Sequence, residues 1–432
     1  MAVVIVRRSA VPPAAMRFKL TGMDRCVFRS ESASARVFRP LVPGPPGHYN
    51  PGMPVRKSVF LYCPVLEKYP FPSDHPFNTS RAPKTRDLIR TMGWLSGSDQ
   101  SEMDSQPAPR AELEKFHTPR YLDALRGASE GNWNYDVLRM GIGTGDCPVF
   151  PGMYEHSVLA AGATLAGAAA ILGGTADAAF NPHGGFHHAF PERAAGFCYV
   201  NDSALGCRAL ADAGRRVLYL DVDVHNGDGV AFAFQDRADV MTISLHENPR
   251  ILFPGTGFED EIGSGNGRGY CVNVPLPVGT YDEAYLSAFD GIVPPLITAF
   301  RPDVFVVELG TDALAGDPLA HLQLTNNVYV EILRKVMAIG KPILMTGGGG
   351  YNVENTVRAW ALAWSVLSGQ DEDDYGNAGL GGVMLGSTDW KGGLRDRELV
   401  IPEQQKEAVT QALGYTVNRV KANVFPIHGL QT

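Results

Sequence analysis

The segment LDVDVHNGDG holds the residues whose types and spacing are best suited to chemistry. Asp221, Asp223 and His225 are spaced two residues apart, so on an extended backbone they point to one side while the valines between them face the core. Asp223 and His225 then offer one oxygen and one nitrogen to a divalent metal ion. Asp312, which follows another apolar run, is the candidate for a third ligand. The spacing therefore predicts a metal site.

The chemistry of these ligands narrows the choice of metal without fixing it. Three protein ligands with one open position are typical of a catalytic zinc site. Two carboxylates and one imidazole also suit iron(II) or cobalt(II), so the sequence leaves the ion open. The alternative interpretation makes Asp221 and Asp223 helix caps or surface acids. Two acids inside a run of Val, Leu and Tyr fit that alternative poorly, and we favour the metal site.

A pair of adjacent histidines, His187 and His188, follows two glycines in GGFHHAF. Adjacent side chains diverge on a strand but can converge on a turn that glycine permits. Each imidazole needs a partner on its far nitrogen, and Asp221 and Asp228 are the spare acids beside the metal ligands. This pattern indicates an acid–base pair. His183 is interpreted as a structural residue.

The glycine run Gly347–Gly350 precedes Tyr351. A phosphate-binding loop is one interpretation, but the run lacks the Lys-Ser/Thr of a P-loop. The other is that backbone without side chains packs close to the metal pocket and brings the Tyr351 hydroxyl to it. A phenol placed there can donate a hydrogen bond to a carbonyl oxygen as that oxygen gains negative charge.

Strands and helices alternate along the chain after residue 53, and several predicted strands are apolar throughout, as in parallel strands covered on both faces. The predicted strands are Ser58–Cys63, Ala176–Phe180, Val217–Val224, Val240–Leu245, Val304–Leu309 and Pro342–Thr346. The predicted helices are Ser157–Leu172, Ala204–Gly214, Ala284–Phe300, Asn327–Ile339 and Val353–Ser368. This order predicts an α/β fold, a doubly wound and mainly parallel sheet with helices on both faces, in a single domain. Ligands of such sheets bind at the carboxyl ends of the strands, where the His, Asp and Tyr residues lie.

Composition excludes some classes of function. The 432 residues carry 38 Lys and Arg against 46 acids, a net charge of −8, which disfavours direct nucleic-acid binding. Six scattered cysteines without a CxxC pair indicate reduced thiols of a cytoplasmic protein. The most apolar stretch, Val158–Leu172, has only 15 residues, whereas a membrane helix needs about 20, so we interpret it as a core helix and expect no membrane association.

The ends of the catalytic region are less regular. Residues 1–52 hold eight Lys and Arg but only two acids, and we interpret them as a poorly ordered extension or a start placed too far upstream, in preference to a transit peptide. Residues 53–432 are then the catalytic domain. The acidic stretch Asp371–Tyr375 is interpreted as a surface loop after the last predicted helix.

Four long motifs carry a resemblance to a known family. They are, in order, NPHGGFHHAFPERAAGFCYVND, LDVDVHNGDGV, ELGTDALAGDP and GGGGYN. Together they resemble the zinc-dependent histone deacetylase family, with its arginase-like α/β fold. The match is similar to the class I branch and, through GTGDCPVFPGMYEHS and FHTPRYL, to the bacterial acetoin-utilisation (AcuC-type) deacetylases. The resemblance covers about residues 57–369.

The resemblance implies a role for each catalytic position. The implied zinc ligands are Asp223, His225 and Asp312. His188 matches the general base and acid, and His187 a mainly electrostatic partner. Behind them, Asp221 and Asp228 match the carboxylate partners. Tyr351 matches the tyrosine that polarises the carbonyl group.

Further positions follow from the same resemblance. Asp146 matches the residue that binds the backbone of an acylated peptide. The wall of a narrow tunnel for the lysine chain is matched by Gly196, Phe197, Phe253 and Leu319; an apolar wall suits a chain that acetylation has left uncharged. A potassium site is matched by the main-chain oxygens of Asp221, Asp223, His225 and Leu245 with the Ser244 hydroxyl. A second, outer potassium site would involve Phe234, Val240 and Tyr270. Arg81 matches an arginine beside an internal cavity.

Two positions depart from the family pattern. Asn226 stands where the family usually has a second histidine, and because that position is not a metal ligand we expect activity to survive. Gly145 precedes the rim aspartate where a larger residue is common.

The resemblance implies a zinc-dependent amidohydrolase that removes acetyl groups from lysine in proteins. Zinc and a His-Asp pair would activate water, and zinc and Tyr351 would hold the oxyanion. An acetylpolyamine or another small acetyl-amine is the alternative substrate, and the oligomeric state stays open. Two other classes are weighed against it: an arginase-like enzyme with two metals, and a non-catalytic acyl-lysine-binding scaffold. The spare acids are better used as histidine partners, and every residue of the site is present, so both are disfavoured.

Overall fold

The computed structural model describes residues 56–370 and 394–432. Within them, eight strands form one sheet in which every neighbouring pair is parallel. The strands are β1 (Ser58–Leu61), β2 (Gln100–Met103), β3 (Ala178–Asn181), β4 (Val217–Asp221), β5 (Val240–Glu247), β6 (Cys271–Leu276), β7 (Val304–Glu308) and β8 (Ile343–Thr346). Their spatial order is β2-β1-β3-β8-β7-β4-β5-β6. The predicted fold class is confirmed.

Helices connect the strands and cover the sheet. They are α1 (Arg81–Thr91), α2 (Arg110–Leu113), α3 (Pro119–Ser129), α4 (Tyr135–Arg139), α5 (Met153–Leu172), α6 (Asp202–Asp212), α7 (Asp228–Phe234), α8 (Asp282–Phe300), α9 (Asn327–Met337), α10 (Val353–Leu367) and α11 (Glu403–Val424). Short 3₁₀ turns span Pro64–Lys68, Gly265–Gly267 and Phe425–His428. Asn352 caps α10 by accepting a hydrogen bond from the Asn355 amide.

The two faces of the sheet bury different side chains, because successive residues of a strand point to opposite sides. In β4, Leu218 and Leu220 belong to the larger core, which α1, α8, α9 and α10 cover. Val217 and Tyr219 belong to the core on the other face, beneath α5, α6 and α7. Burial on both faces explains why these strands are apolar throughout.

The strand boundaries differ from the prediction at informative places. The predicted strand Val217–Val224 ends at Asp221. Val222 N still donates to the Glu308 carbonyl, but beyond it Asp223 N donates to Asp221 Oδ1 and His225 N to Asp223 Oδ1. The sequence pattern misses β2 and β6. The first is the polar QSEM, and the second contains Pro275, which is tolerated because β6 is an edge strand.

Helix α5 is long and apolar enough to cross a membrane by length and composition, and 72% of its most apolar window is buried inside the protein. It packs against β1, β3 and β8. At Gly167 a Cβ would lie 2.7 Å from the Leu344 side chain and 2.8 Å from that of Leu61, so the glycine permits the close approach of helix and sheet. This burial is that of a core helix.

The predictions for residues 1–52 and for the acidic stretch 371–375 lie outside the described residues. The assignment of 53–432 as one catalytic domain stays a prediction. The cysteines of the described ranges are all buried free thiols.

Candidate active site

The central strands of the sheet end at one pocket. The loops after β3, β4 and β8 line it with His187, Asp223 and the glycine run before Tyr351, and the loop after β7 carries Gly310, which packs against Asp223. These strands lie next to one another in the sheet, so their carboxyl ends bring residues more than a hundred positions apart together.

Asp223, His225 and Asp312 form a buried group whose ligand atoms all lie within 4.8 Å of one another. His225 Nδ1 is 3.2 Å from Asp223 Oδ1 and 3.0 Å from Asp312 Oδ2. The backbone holds both carboxylates in place: Val224 N donates to Asp312 Oδ1 at 2.9 Å, and Gly349 N donates to Asp223 Oδ2 at 2.6 Å. The three predicted ligands therefore come together.

Glycine is required beside this group. A Cβ at Gly310 would collide with the Asp223 carboxylate, and one at Gly349 would collide with that of Asp312. The close approach of bare backbone to the carboxylates fits the second interpretation of the glycine run.

Electrostatics of the group fit a bound cation. Burial opposes the charge of His225, but hydrogen bonds with Asp223 and Asp312 outweigh it and raise its pKa to about 10. Burial, and then repulsion from Asp223, raise the pKa of Asp312 to about 7. Two buried carboxylates and an imidazole this close match the donor set of a divalent metal ion.

His187 and His188 lie side by side on the turn after β3. Their Nε2 atoms are 3.0 Å apart. His188 Nδ1 is 2.8 Å from Asp228 Oδ1, and His187 Nδ1 is 3.4 Å from Asp221 Oδ2. The structure thus brings each histidine close to one of the two spare acids.

The two imidazoles have opposite proton affinities. Burial, then repulsion from His187, lowers the pKa of His188 to about 4 despite Asp228. Burial also opposes the charge of His187, but the carboxylates of Glu308, Asp221 and Asp223 outweigh it and raise its pKa well above the ordinary value. The surrounding charges therefore favour a proton on His187 over one on His188.

Glu308, the last residue of β7, is a functional candidate that the sequence analysis missed. It is fully buried, and its Oε1 lies 3.4 Å from His187 Nδ1. Burial raises the pKa of Glu308, and the attraction of His187 opposes that rise. An acid inside the apolar run VFVVE was the signal, since the same argument singles out Asp221.

The turn that carries the histidines is tied down from α6. Asp202 accepts hydrogen bonds from Gly185 N at 3.0 Å and Phe186 N at 2.8 Å. The Asn201 amide donates to the His187 carbonyl at 3.0 Å. Gly185 has φ +94° and packs against the glycine run, a conformation and contact that a side chain would block. The sequence YVND marks these residues, but nothing local indicates what they contact.

Tyr351 lines the pocket with the paired histidines. Its backbone N donates to Asp317 Oδ2 at 2.7 Å, and its ring packs edge-on against Phe197 with centroids 5.6 Å apart. Burial, then the carboxylates of Asp312 and Asp223, raise its pKa well above the ordinary value. The phenol is thus held in its protonated, hydrogen-bond-donating form.

Arg81 lies behind the glycine run and is buried. Its guanidinium donates to the carbonyls of Gly350 at 2.7 Å and Gly348 at 3.0 Å, between the rings of Phe77 and Trp360. His183 is also buried, packs against Tyr62, and has a pKa that burial lowers to about 3. A neutral structural histidine fits these surroundings.

The predicted tunnel residues lie at different depths. Gly196 and Phe197 line the pocket. Gly196 has φ +50°, and a Cβ on it would lie 2.5 Å from the His188 ring. Phe253 is 42% exposed, with its ring 4.9 Å from that of His188, which puts it at the mouth. Leu319 is half-buried on the loop that Asp317 anchors, and the pocket lining in the described chain does not include it.

Asp146 is exposed at the rim. Its carbonyl is 3.2 Å from His75 Nε2, and the His75 ring packs edge-on against Phe197 at 4.6 Å. His75 therefore links the rim to the pocket wall, and the sequence analysis did not identify it. Gly145 faces open space.

The residues of the predicted inner potassium site lie together beside the histidine pair. Asp221 pairs with Ser244 across β4 and β5, and the Ser244 hydroxyl donates to Asp221 Oδ2 at 3.3 Å. The Tyr285 hydroxyl donates to the Leu245 carbonyl at 3.4 Å. In the outer set, the carbonyls of Phe234 and Tyr270 already accept backbone hydrogen bonds, and Val240 begins β5. Both potassium sites stay predictions.

Asn226 faces away from the metal group. Its side-chain amide donates to Asn273 Oδ1 at 2.9 Å, and its carbonyl oxygen accepts from the Thr256 hydroxyl at 3.4 Å. The residue therefore belongs to a neighbouring polar network.

Comparison with known proteins places this site in a family. The sequence matches the histone deacetylase domain over residues 75–367. It is 41% identical over 325 residues to acetoin utilization protein AcuC of Bacillus subtilis (strain 168), covering 73% of this chain and 84% of that protein. It is 39% identical over 291 residues to histone deacetylase 8 of Xenopus tropicalis, covering 67% and 78%.

Solved structures agree with the sequence matches. A histone deacetylase homologue from Aquifex aeolicus superposes with a TM-score of 0.73 at 33% identity, covering 83% of this chain and all of that one. A homologue complexed with SAHA gives a TM-score of 0.75 at 32% identity, covering 84% and 99%.

The pocket combines a clustered ligand group, a histidine pair with carboxylate partners, and a tyrosine. This chain belongs to the histone deacetylase family, with the features of its class I and AcuC-type members. The family implies a metal cofactor, and the buried Asp223–His225–Asp312 group fits one.

Proposed function

We propose that the protein is a zinc-dependent deacetylase that removes acetyl groups from the Nε atom of lysine in proteins. The observation that carries the proposal is the buried Asp223–His225–Asp312 group, which opens onto the same pocket as the histidine pair and Tyr351. Those are the components that hydrolysis of an amide needs: a Lewis acid site, a base and an oxyanion donor.

The donor set favours zinc, with iron(II) as the second choice in the cell. When bound by these three side chains, the ion would supply Lewis acidity toward water and the acetyl carbonyl. The remaining chemistry belongs to the protein's own side chains.

His188 is the proposed general base. Its low pKa keeps the imidazole neutral at pH 7, and Asp228 holds the Nδ1 proton, which leaves Nε2, 3.0 Å from His187 Nε2, as the basic nitrogen. His188 takes a proton from water as the water oxygen attacks the acetyl carbon. His187, held as an imidazolium, stabilises the negative charge that develops beside it.

Tyr351 is the proposed oxyanion donor. Its protonated phenol donates a hydrogen bond to the carbonyl oxygen as that oxygen becomes negative. Collapse of the tetrahedral intermediate breaks the carbon–nitrogen bond, and His188 returns its proton to the departing lysine amine. The products are the free lysine side chain and acetate.

The lining of the pocket and the similarity to AcuC support acetyl-lysine in proteins as the proposed substrate class. Gly196, Phe197 and Phe253 give an apolar passage for an uncharged acetyl-lysine side chain, and Asp146 at the rim is suited to accept backbone N–H groups of a peptide. Similarity to AcuC supports a bacterial-type enzyme. Action on acetylated proteins in the cytoplasm and potassium as a structural ion are further parts of the proposal. Small acetyl-amines such as acetylpolyamines are the rival substrates.

The decisive experiment compares turnover of an acetyl-lysine peptide with turnover of an acetylpolyamine, after reconstitution with zinc and separately with iron(II). Asp312→Ala is the control, with metal content measured in both proteins. One equivalent of metal and peptide turnover in the wild type, both lost in the variant, is the expected result.

Other outcomes revise the proposal in defined ways. Preference for the polyamine would keep the chemistry and replace the substrate. Two equivalents of catalytic metal would favour the arginase-like alternative, and turnover of neither substrate by the metal-loaded enzyme would reject the proposed activity.

A further inference from the structure

We infer that Glu308 is a positioning residue for His187, a second carboxylate that shares the Nδ1 proton of this imidazole with Asp221. The inference rests on the proposed deacetylation. It adds a third acid to the histidine pair, whose two assigned partners are Asp221 and Asp228.

The geometry at His187 calls for a second acceptor. Nδ1 is 3.4 Å from Asp221 Oδ2 and 3.4 Å from Glu308 Oε1, and neither contact alone completes a hydrogen bond. Asp221 Oδ2 is already engaged by Gly227 N at 3.1 Å and the Ser244 hydroxyl at 3.3 Å. A proton on Nδ1 therefore lies between two carboxylates at equal distance.

Glu308 is held in a fixed orientation by its other oxygen. Oε2 accepts hydrogen bonds from the hydroxyls of Ser203 at 2.6 Å, Thr346 at 3.1 Å and Tyr219 at 3.2 Å. Oε1 is buried and has no hydrogen-bond partner, so it is left pointing at the imidazole. The three hydroxyl donors to Oε2 thus fix the Glu308 side chain in an orientation that directs Oε1 toward His187.

His188, unlike His187, has one carboxylate at its Nδ1. A single carboxylate oxygen, Asp228 Oδ1, meets its Nδ1 at an ordinary hydrogen-bonding distance of 2.8 Å. Among the described residues, Glu308 has no hydrogen bond or ion pair with His188 or Asp228, so an effect of Glu308 on the histidine pair passes through His187. This asymmetry gives a test that a purely structural role would fail.

The test is a set of double-mutant cycles on peptide deacetylation by the zinc-loaded enzyme. Glu308→Gln is isosteric and removes the carboxylate; it is combined with Asp221→Asn, Asp228→Asn and His187→Ala. Thermal unfolding of each variant checks that the fold is intact. If Glu308→Gln does not fold, Glu308→Asp, which keeps the charge but withdraws it from Nδ1, takes its place in the same cycles.

Glu308→Gln alone should lower kcat about tenfold with little change in KM, because Asp221 can still accept the hydrogen bond from His187 Nδ1. Combined with Asp221→Asn it should cost more than the product of the single effects, since no charged acceptor remains at Nδ1. Combined with Asp228→Asn the effects should multiply, and in the His187→Ala background Glu308→Gln should change nothing further. If Glu308→Gln lowered kcat by the same factor in the Asp221→Asn, Asp228→Asn and His187→Ala backgrounds, the inference would be overturned.

A second readout does not depend on turnover. In protein with ¹⁵N-labelled histidine, the imidazole Nδ1–H resonance that His187→Ala abolishes should shift in Glu308→Gln and not in Asp228→Asn. A shift without peptide turnover in the wild type would uphold the position of Glu308 while rejecting the proposed function. No shift in an active enzyme would reject the inference alone.

Discussion

The floor of the pocket and its rim are built differently. The floor consists of Asp223, His225, Asp312 and the histidine pair; all are buried, and each is fixed by backbone amides or by another side chain of the group. The rim consists of Asp146, Phe253 and Leu319, which are exposed or half-buried on loops. The His75 side chain, through its contact with the Asp146 carbonyl, connects Asp146 to the wall.

This difference assigns separate tasks to the two regions. A preorganised, buried floor stabilises charge that develops during reaction, so changes there should lower kcat. A solvated rim contacts the parts of the substrate that do not react, so changes there should raise KM or alter the choice of substrate.

Tyr351→Phe is the strongest test of the floor that leaves the metal group intact. Loss of the hydroxyl should lower kcat on the order of 10²–10³-fold with KM nearly unchanged, because the hydrogen bond forms fully only as the carbonyl oxygen becomes negative. Steady-state kinetics on an acetyl-lysine peptide, with metal content measured in parallel, provide the check. Near-normal turnover in a metal-loaded variant would remove Tyr351 from the mechanism.

Asp146→Ala tests the rim. It should raise KM for the peptide about tenfold, the cost of a hydrogen bond to a charged acceptor, and leave kcat unchanged. Turnover of an acetylpolyamine, which has no peptide backbone, should be unaffected. Asp74→Ala removes another exposed acid near His75 and is the matched control. A fall in kcat with unchanged KM would erase the distinction between floor and rim.

The floor was largely predictable because its residues sit at strand ends in a strong pattern. Apolar runs fix the parallel strands, and their carboxyl ends must converge, so Asp223, His225 and Asp312 could be grouped before the structure was known. The prediction was wrong in one local detail. The strand around Asp221 ends earlier than the periodicity predicts, because the amides of Asp223 and His225 donate to side-chain oxygens.

The supporting residues and the rim were harder to predict for different reasons. Asp202 and Glu308 act through contacts between separate elements, which no local pattern encodes. His75 and Leu319 lie on loops, whose paths depend on turn geometry and not on hydrophobic periodicity. Resemblance to a family suggested Leu319, yet it does not tell how far into the pocket the side chain reaches.

His156, a buried histidine behind the pocket, tests whether the stability of the fold depends on a histidine that is buried as the neutral imidazole. It packs against Phe186, which lines the pocket, and burial lowers its pKa from 6.5 to about 4 although its Nδ1 bonds to the Tyr69 carbonyl. Because the pKa of His156 is lower in the folded protein, the unfolded chain binds a proton at a higher pH than the folded protein does. Its contribution to stability is therefore complete above pH 6.5 and is lost as the pH falls toward 4.

His156→Gln should remove that acid sensitivity. The free energy of unfolding of the wild type should fall relative to the variant by about 1.4 kcal/mol for each pH unit in this range. Urea unfolding at several pH values measures the difference. Parallel pH profiles for the two proteins would show that His156 is already protonated in the fold.

Asn226→His should have the smallest effect on turnover. Asn226 bonds to Asn273 and Thr256 on the side away from the metal group, so kcat should stay within about threefold, which is under about 0.7 kcal/mol of activation free energy. The larger imidazole must fit a buried position, and the free energy of unfolding should fall by about 1 kcal/mol. Asn226→Ala, which avoids overpacking, should leave kcat equally unchanged. A tenfold fall in kcat in both variants would extend the floor to Asn226 and make its polar network part of the catalytic site.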